Sequence, residues 1–323
     1  MAASDYGFFL VFHDLSGALV YEEEIKDLPS LWQDVVFSAV CRGKLPNDGQ
    51  WRDTTVEPII ADGRLSGVTV SVAGLRKSYG LSIFADRAWE VLLSRSVLQN
   101  EKGDEERRFS WEIKIRARKQ EPQRRRFTTS VIHTPFPLTH GSLSDFGIPD
   151  CEQQKPFSVW ISSSLFDELR EESATCLDHE RADFLTGHIV QVPNGNVAVV
   201  LLDRIAANVD TKSSAVHISF SPLTFQAVRQ ELERRSTNQV ITGWSHNHPP
   251  PCGRECLMTI PACKTENVFM SVADRTVHRS GFAAPYMVAF ITGKGAHRRA
   301  DDSLIRAYRW RGGRIRETRF SIF

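Results

Sequence analysis

The chain has 323 residues, of which 41% are hydrophobic and 24% charged, an ordinary globular composition whose length suits two domains of about 150 residues each. Its 40 basic and 39 acidic side chains nearly cancel, which removes the basic footprint of a nucleic-acid binder. It has no run of 18 apolar residues and no basic-then-apolar leader at Met1 to Tyr6, so the expectation is a cytoplasmic protein with neither membrane nor nucleic acid among its partners.

The first 115 residues have a mixed α/β rhythm. Phe8 to Val11 and Ala18 to Tyr21 flank the turn signal Asp14-Leu15-Ser16-Gly17, which predicts a hairpin. Trp32, Val35, Val36, Ala39 and Val40 then recur at helical spacing. A second, similar unit is read from alternating Val68, Val70 and Val72, a return strand at Tyr79 to Phe84, a helix over Asp86 to Leu98, and alternating Phe109, Trp111, Ile113 and Ile115. Hairpin-then-helix opens the ubiquitin-like β-grasp fold and many other α+β domains. Residues 1–115 are therefore expected to form a smaller α+β domain, with an adaptor role as one reading.

Periodicity fades over 116–153, where Pro122, Pro135, Pro137 and Pro149 accompany Arg124-Arg125-Arg126. This stretch reads as a linker, and its arginines as solvated charge rather than a nucleic-acid contact. A catalytic domain is expected over 154–323. It opens with a strand at Phe157 to Ile161 and a helix capped by Ser164, with Leu165, Phe166 and Leu169 as its stripe. Further strands are read at Val197 to Leu202 and His217 to Phe220. A helix then begins at Ser221-Pro222 and presents Phe225, Val228 and Leu232. The whole is predicted to be α/β of the α+β kind, a mixed sheet flanked by helices.

The chemistry concentrates after Val240. A short strand, Val240 to Trp244, leads into Ser245-His246-Asn247-His248-Pro249, and alternation along an extended segment turns His246 and His248 to the same side. Asp274 follows 26 residues after His248, in a first helical turn, with Ser271 just before it. Two imidazoles and a carboxylate are a three-ligand set that leaves one position of a tetrahedral Zn²⁺ open for water. A strand is expected next at Tyr286 to Ile291.

These segments resemble the JAB/MPN metalloproteases, the JAMM isopeptidases that include deubiquitinases. The signature of that family is an upstream Glu, then His-x-His-Pro, then Ser-x-x-Asp. His246-Asn247-His248-Pro249 and Ser271-Val272-Ala273-Asp274 match it, and Glu180 leads a segment similar to the family's Glu-x-Gly-Gly-x-Leu-x-Gly. The resemblance covers residues 157 to 323 and implies a JAB/MPN-type domain with one catalytic zinc on His246, His248 and Asp274. It further implies Glu180 as proton carrier and Ser271 as oxyanion donor, acting on the bond after the C-terminal glycine of ubiquitin or a ubiquitin-like protein. Enzymes of the ubiquitin-conjugation pathway are the other partners implied. A non-catalytic MPN scaffold and a RadC-like JAB protein are the alternatives.

Two departures stand out. Ala182 and Asp183 occupy the places of the two glycines, and 21 residues separate Pro249 from Ser271, well beyond the family's usual spacing. That insert carries Cys252, Cys256 and Cys263, three of the chain's six cysteines, which fit either free thiols or three ligands of a second, structural zinc. The fourth ligand is then unknown, with His278 the nearest candidate.

Overall fold

The computed structural model describes residues 6–25, 29–49, 51, 55–94, 109–117, 134–149, 155–175, 179–207, 212–213, 218–249, 266–294 and 303–323. The protein is mixed α+β, with five α-helices among the described residues. It divides into two compact units, the first Met1–Phe136 with Gly312–Arg314, the second Pro137–Arg311 with Ile315–Phe323.

The first unit opens with strands β1 (Tyr6–His13) and β2 (Leu19–Glu24) and helix α1 (Pro29–Cys41). The hairpin turn forms as its residues dictate: Gly17 takes φ 82°, and the Asp14 carboxylate accepts from the Ser16 and Ala18 amides at 2.9 and 3.0 Å. Strands β3 (Thr55–Ala61), β4 (Arg64–Val72) and β5 (Leu75–Gly80), helix α2 (Ala85–Ser94) and strand β6 (Ser110–Ala117) complete the unit. The second hairpin and helix form, but their strands are divided between two sheets. Strands β3, β4 and β5 make their own sheet, whereas β6 returns to the first, in the order β2-β1-β6. A β-grasp closes on its first strand with a parallel partner, but β6 runs antiparallel to β1. The Tyr79 to Phe84 strand is also corrected: β5 ends at Gly80, and Leu81–Phe84 is a 3₁₀ turn that buries Phe84.

In the second unit a nine-stranded sheet runs β16-β15-β14-β13-β9-β10-β8-β17, with β7 (Leu138–His140) paired to the far half of β9. The other strands are β8 (Phe157–Ile161), β9 (Ala182–Gln191), β10 (Val197–Ala206), β13 (Val240–Asn247), β14 (Val288–Lys294), β15 (Ser303–Arg311), β16 (Arg314–Thr318) and β17 (Ser321–Ile322). A two-stranded ribbon, β11 (Lys212–Ser213) with β12 (Ile218–Ser219), lies outside that order. Part of the presumed linker belongs to this unit, because Leu143 and Ile148 are apolar enough to be drawn under the sheet, where they pack with Trp160, Val190 and Val200.

Helices α3 (Ser163–Thr175), α4 (Pro222–Arg235) and α5 (Val272–Gly281) flank the sheet. The Ser221 hydroxyl accepts from the Leu223 and Thr224 amides and caps α4 as expected. The capping side chain of α3 is Ser162 rather than Ser164, accepting from Leu165 N–H at 3.4 Å. The core beneath α4 and α5 gathers Val228 and Val277 from those helices, Phe184, Trp244, Ala289 and Ile291 from the sheet, and Phe282 from beyond α5.

One irregularity governs the centre of the sheet. In the β13–β9 ladder Ile241 faces Thr186 and Gly243 faces Leu185, so Thr242 is an extra residue, a β-bulge. Its hydroxyl donates to Leu185 O at 3.1 Å. A Cβ on Gly243 would lie 1.8 Å from Val288 O, so only glycine lets β14 pair so closely.

Candidate metal centre

Three separate segments supply the site. Strand β13 delivers His246 and, one residue past its end, His248; helix α5 delivers Asp274; and Glu180 lies two residues before β9 begins. His246, Asp274 and Glu180 are 3%, 6% and 6% exposed, a depth at which polar groups are retained only with partners. The two imidazole Nε2 atoms are 2.8 Å apart. The Asp274 carboxylate reaches both, Oδ1 at 3.2 Å from His246 Nε2 and Oδ2 at 3.3 Å from His248 Nε2. Ligand atoms of Glu180, His246 and His248 all lie within 4.8 Å of one another.

The donor types are those of a tetrahedral zinc site, although the 2.8 Å between the two imidazole Nε2 atoms is closer than ligands of one such ion stand. Ligands about 2.0–2.1 Å from a tetrahedral ion stand roughly 3.3–3.4 Å from each other, and the two histidine–aspartate separations match this. The tautomer of His248 is also set for it. Its Nδ1 lies 2.5 Å from Asn267 O; a proton donated there leaves the Nε2 lone pair facing His246 and Asp274, the outer hydrogen bond usual for ligating histidines. Asn267 is in turn held by donating to His248 O and Pro249 O at 2.9 and 2.8 Å, and its side-chain oxygen accepts from the Lys294 amide.

Electrostatics at the site are dominated by Asp274. Burial alone would raise its carboxyl, but the charges and hydrogen bonds of His246 and His248 outweigh this and hold it well below the ordinary carboxylate range. Burial would lower His248, yet the hydrogen bond and charge of Asp274 hold it raised. Ser271 caps α5: its hydroxyl accepts from Asp274 N–H at 3.1 Å while Asp274 Oδ2 accepts from Ser271 N–H at 2.7 Å. The cap therefore fixes the Asp274 carboxylate, and a hydroxyl that accepts still has its own proton to donate.

Beneath His246 lies Trp244, completely buried. The two rings stack with centroids 4.8 Å apart and planes 4° from parallel. The indole Nε1–H donates to His278 Nδ1 at 3.1 Å, so the neutral imidazole carries its proton on Nε2. His278 is fully buried and through this bond lies in the layer beneath the site. Burial pushes its pKa down to about 3, helped by Arg279. A base depressed from about 6.5 in the unfolded chain stabilises the fold above pH 6.5, and that stability is lost as pH falls towards 3. His278→Asn keeps an acceptor for Trp244 without a titrating ring, so denaturation midpoints measured from pH 7 to pH 4 should fall less steeply in the variant. Parallel pH profiles would refute the assignment.

Asp183, in place of a family glycine, joins a charge cluster with its carboxylate 2.6 Å from Arg204 Nη1. Burial, with Glu172 adding to it, raises this carboxyl to about 6. Ala182 pairs with His246 across the ladder. Cys252, Cys256 and Cys263 lie outside the described residues. Asn267, Trp244 and Asn247 take part in the site without having been assigned a role from the sequence; Trp244 and Asn247 lie in or beside the His-x-His motif, whereas Asn267 had no local signal.

No protein-family model matches the chain, and no curated protein matches it. Among solved structures, a solution structure of a protein from Desulfitobacterium hafniense is similar at 14% identity and a TM-score of 0.35, over 51% of this chain and 92% of that one.

Proposed function

We propose that this chain is a zinc-dependent isopeptidase or peptidase that hydrolyses the bond after the C-terminal glycine of ubiquitin or a ubiquitin-like modifier, in deconjugation or precursor processing. The observation that carries this reading is convergence: the two imidazoles of His246 and His248 are met by the carboxylates of Asp274 and Glu180 from separate segments, with His246, Asp274 and Glu180 buried and His248 partly so. A scaffold protein has no need of that arrangement, since burying such groups together is costly.

His246, His248 and Asp274 would hold the Zn²⁺. Zinc in a three-ligand protein site supplies a water whose pKa falls to about 7 and a Lewis acid for the carbonyl. Glu180, within 4.8 Å of both imidazoles, takes the proton of the attacking water and returns it to the leaving lysine ε-amine, which cannot leave unprotonated. Ser271 donates its hydroxyl to the oxyanion, a role worth about 2.7–4 kcal/mol where one donor has been removed from such a hole. The slim diglycine tail of a modifier suits a narrow cleft, entered as an added strand. The cytoplasm and the enzymes of modifier conjugation are the setting and the further partners that this substrate implies.

The test is a Glu180→Gln variant, loaded with zinc and incubated with ubiquitin-like conjugates and C-terminal fusions. Turnover should fall about 10²–10⁴-fold while the zinc content stays at that of the parent. Cleavage at the parental rate would sink the mechanism.

A further inference from the structure

The residue between the two histidines has its own task. The β13–β9 ladder ends where His246 faces Ala182, so Glu180 lies beyond the last ladder pair. Asn247, 3% exposed, spans that gap. Its side-chain Oδ1 accepts from Arg181 N–H at 2.7 Å, its Nδ2 donates to His179 O at 3.4 Å, and its backbone N–H donates to Arg181 O at 3.3 Å. The three bonds bracket Glu180 on both sides. The Arg181 guanidinium also touches Glu172 at 3.3 Å, but with its side chain 55% exposed that pair is screened by solvent.

We propose that Asn247 is a positioning residue that sets the Glu180 carboxylate against the metal-binding histidines; this rests on the reading of Glu180 as the proton carrier. Alternation sends the Asn247 side chain to the face opposite His246 and His248, so one strand presents metal ligands on one side and the clamp for the base on the other. The primary amide suits the task because it accepts and donates at once. Leucine has nearly its shape and does neither, and aspartate only accepts.

In Asn247→Leu, bound zinc should stay at the parental stoichiometry with affinity within threefold. Exchange of the Arg181 amide should speed at least tenfold, and kcat should fall at least tenfold with KM unchanged. Asn247→Asp, which keeps the acceptor, should keep Arg181 protected and covers the case in which the leucine variant misfolds. With Co²⁺ in place of zinc, Asn247→Leu should shift the visible spectrum in the same direction as Glu180→Gln. Parental Arg181 exchange in Asn247→Leu, or faster exchange with unchanged kcat, overturns the clamp. If the parent cleaves no conjugate, the proteolytic reading fails by itself, and the cobalt spectra still decide: a leucine variant indistinguishable from the parent overturns the clamp as well.

Discussion

His246→Ala should lower bound zinc by one equivalent relative to the parent, whatever the cysteines hold. The expectation follows from how the donors depend on each other. Asp274 is 6% exposed and keeps its charge against both imidazoles, 3.2 and 3.3 Å away. Without His246 a single histidine and a carboxylate remain from the three-ligand set, too few to close a zinc site. The loss should also appear as lost stabilisation. A ligand at a thousandfold excess over its Kd adds about 4.1 kcal/mol to the folded state, or roughly 8–16 °C for a domain of 150–250 residues. Added zinc should raise the melting temperature of the parent by a shift of that order and that of the variant by less. Equal zinc content and equal shifts in the two proteins would remove His246 from the site.

Trp244→Ala should destabilise the second unit by about 4–8 kcal/mol. Removing a buried tryptophan typically costs about 3–5 kcal/mol through lost transfer and the cavity left behind. Here it also strips His278 Nδ1 of its donor, at about 1–3 kcal/mol for an orphaned buried group. The ring touches Phe220, Phe282 and His246 at centroid distances of 5.8, 5.7 and 4.8 Å, so little can collapse into the space without moving the ligand. Against a total of about 5–15 kcal/mol for a folded domain, that is enough to leave much of the protein unfolded. Urea denaturation, with the slope compared as well as the midpoint, measures it; a cost under about 1 kcal/mol would mean that the core beneath the site is not set by this indole.

What was readable beforehand follows from how local each signal is. Paired histidines on one strand, a serine cap three residues ahead of an aspartate, and apolar runs such as Phe157 to Ile161 depend on neighbours a few residues away. The chain states these directly, and in the structure Asp274 reaches both imidazoles while Glu180 lies within 4.8 Å of the same two. Long-range pairing leaves little local trace. That β6 returns to β1, that β3 to β5 stand apart, and that Leu143 and Ile148 leave a proline-rich stretch to fill space under Trp160 are decided by tertiary packing. Asn267 could not have been found, because its importance lies in a carbonyl facing His248 and an amide facing Lys294. The 3₁₀ turn at Leu81–Phe84 was read as a strand because four mostly apolar residues look alike in either state.

The extra residue at Thr242 ties folding fidelity to chemistry. Ile241 and Trp244 pack into the same core although three positions apart, which strict alternation forbids and the bulge permits. Were the strand to pair without it, every side chain from Trp244 onward would rotate to the opposite face. A chain misregistered in this way would present its indole to the wrong layer and lose both imidazoles from the site at once. Correct strand pairing is thus a precondition for both imidazoles to face the site.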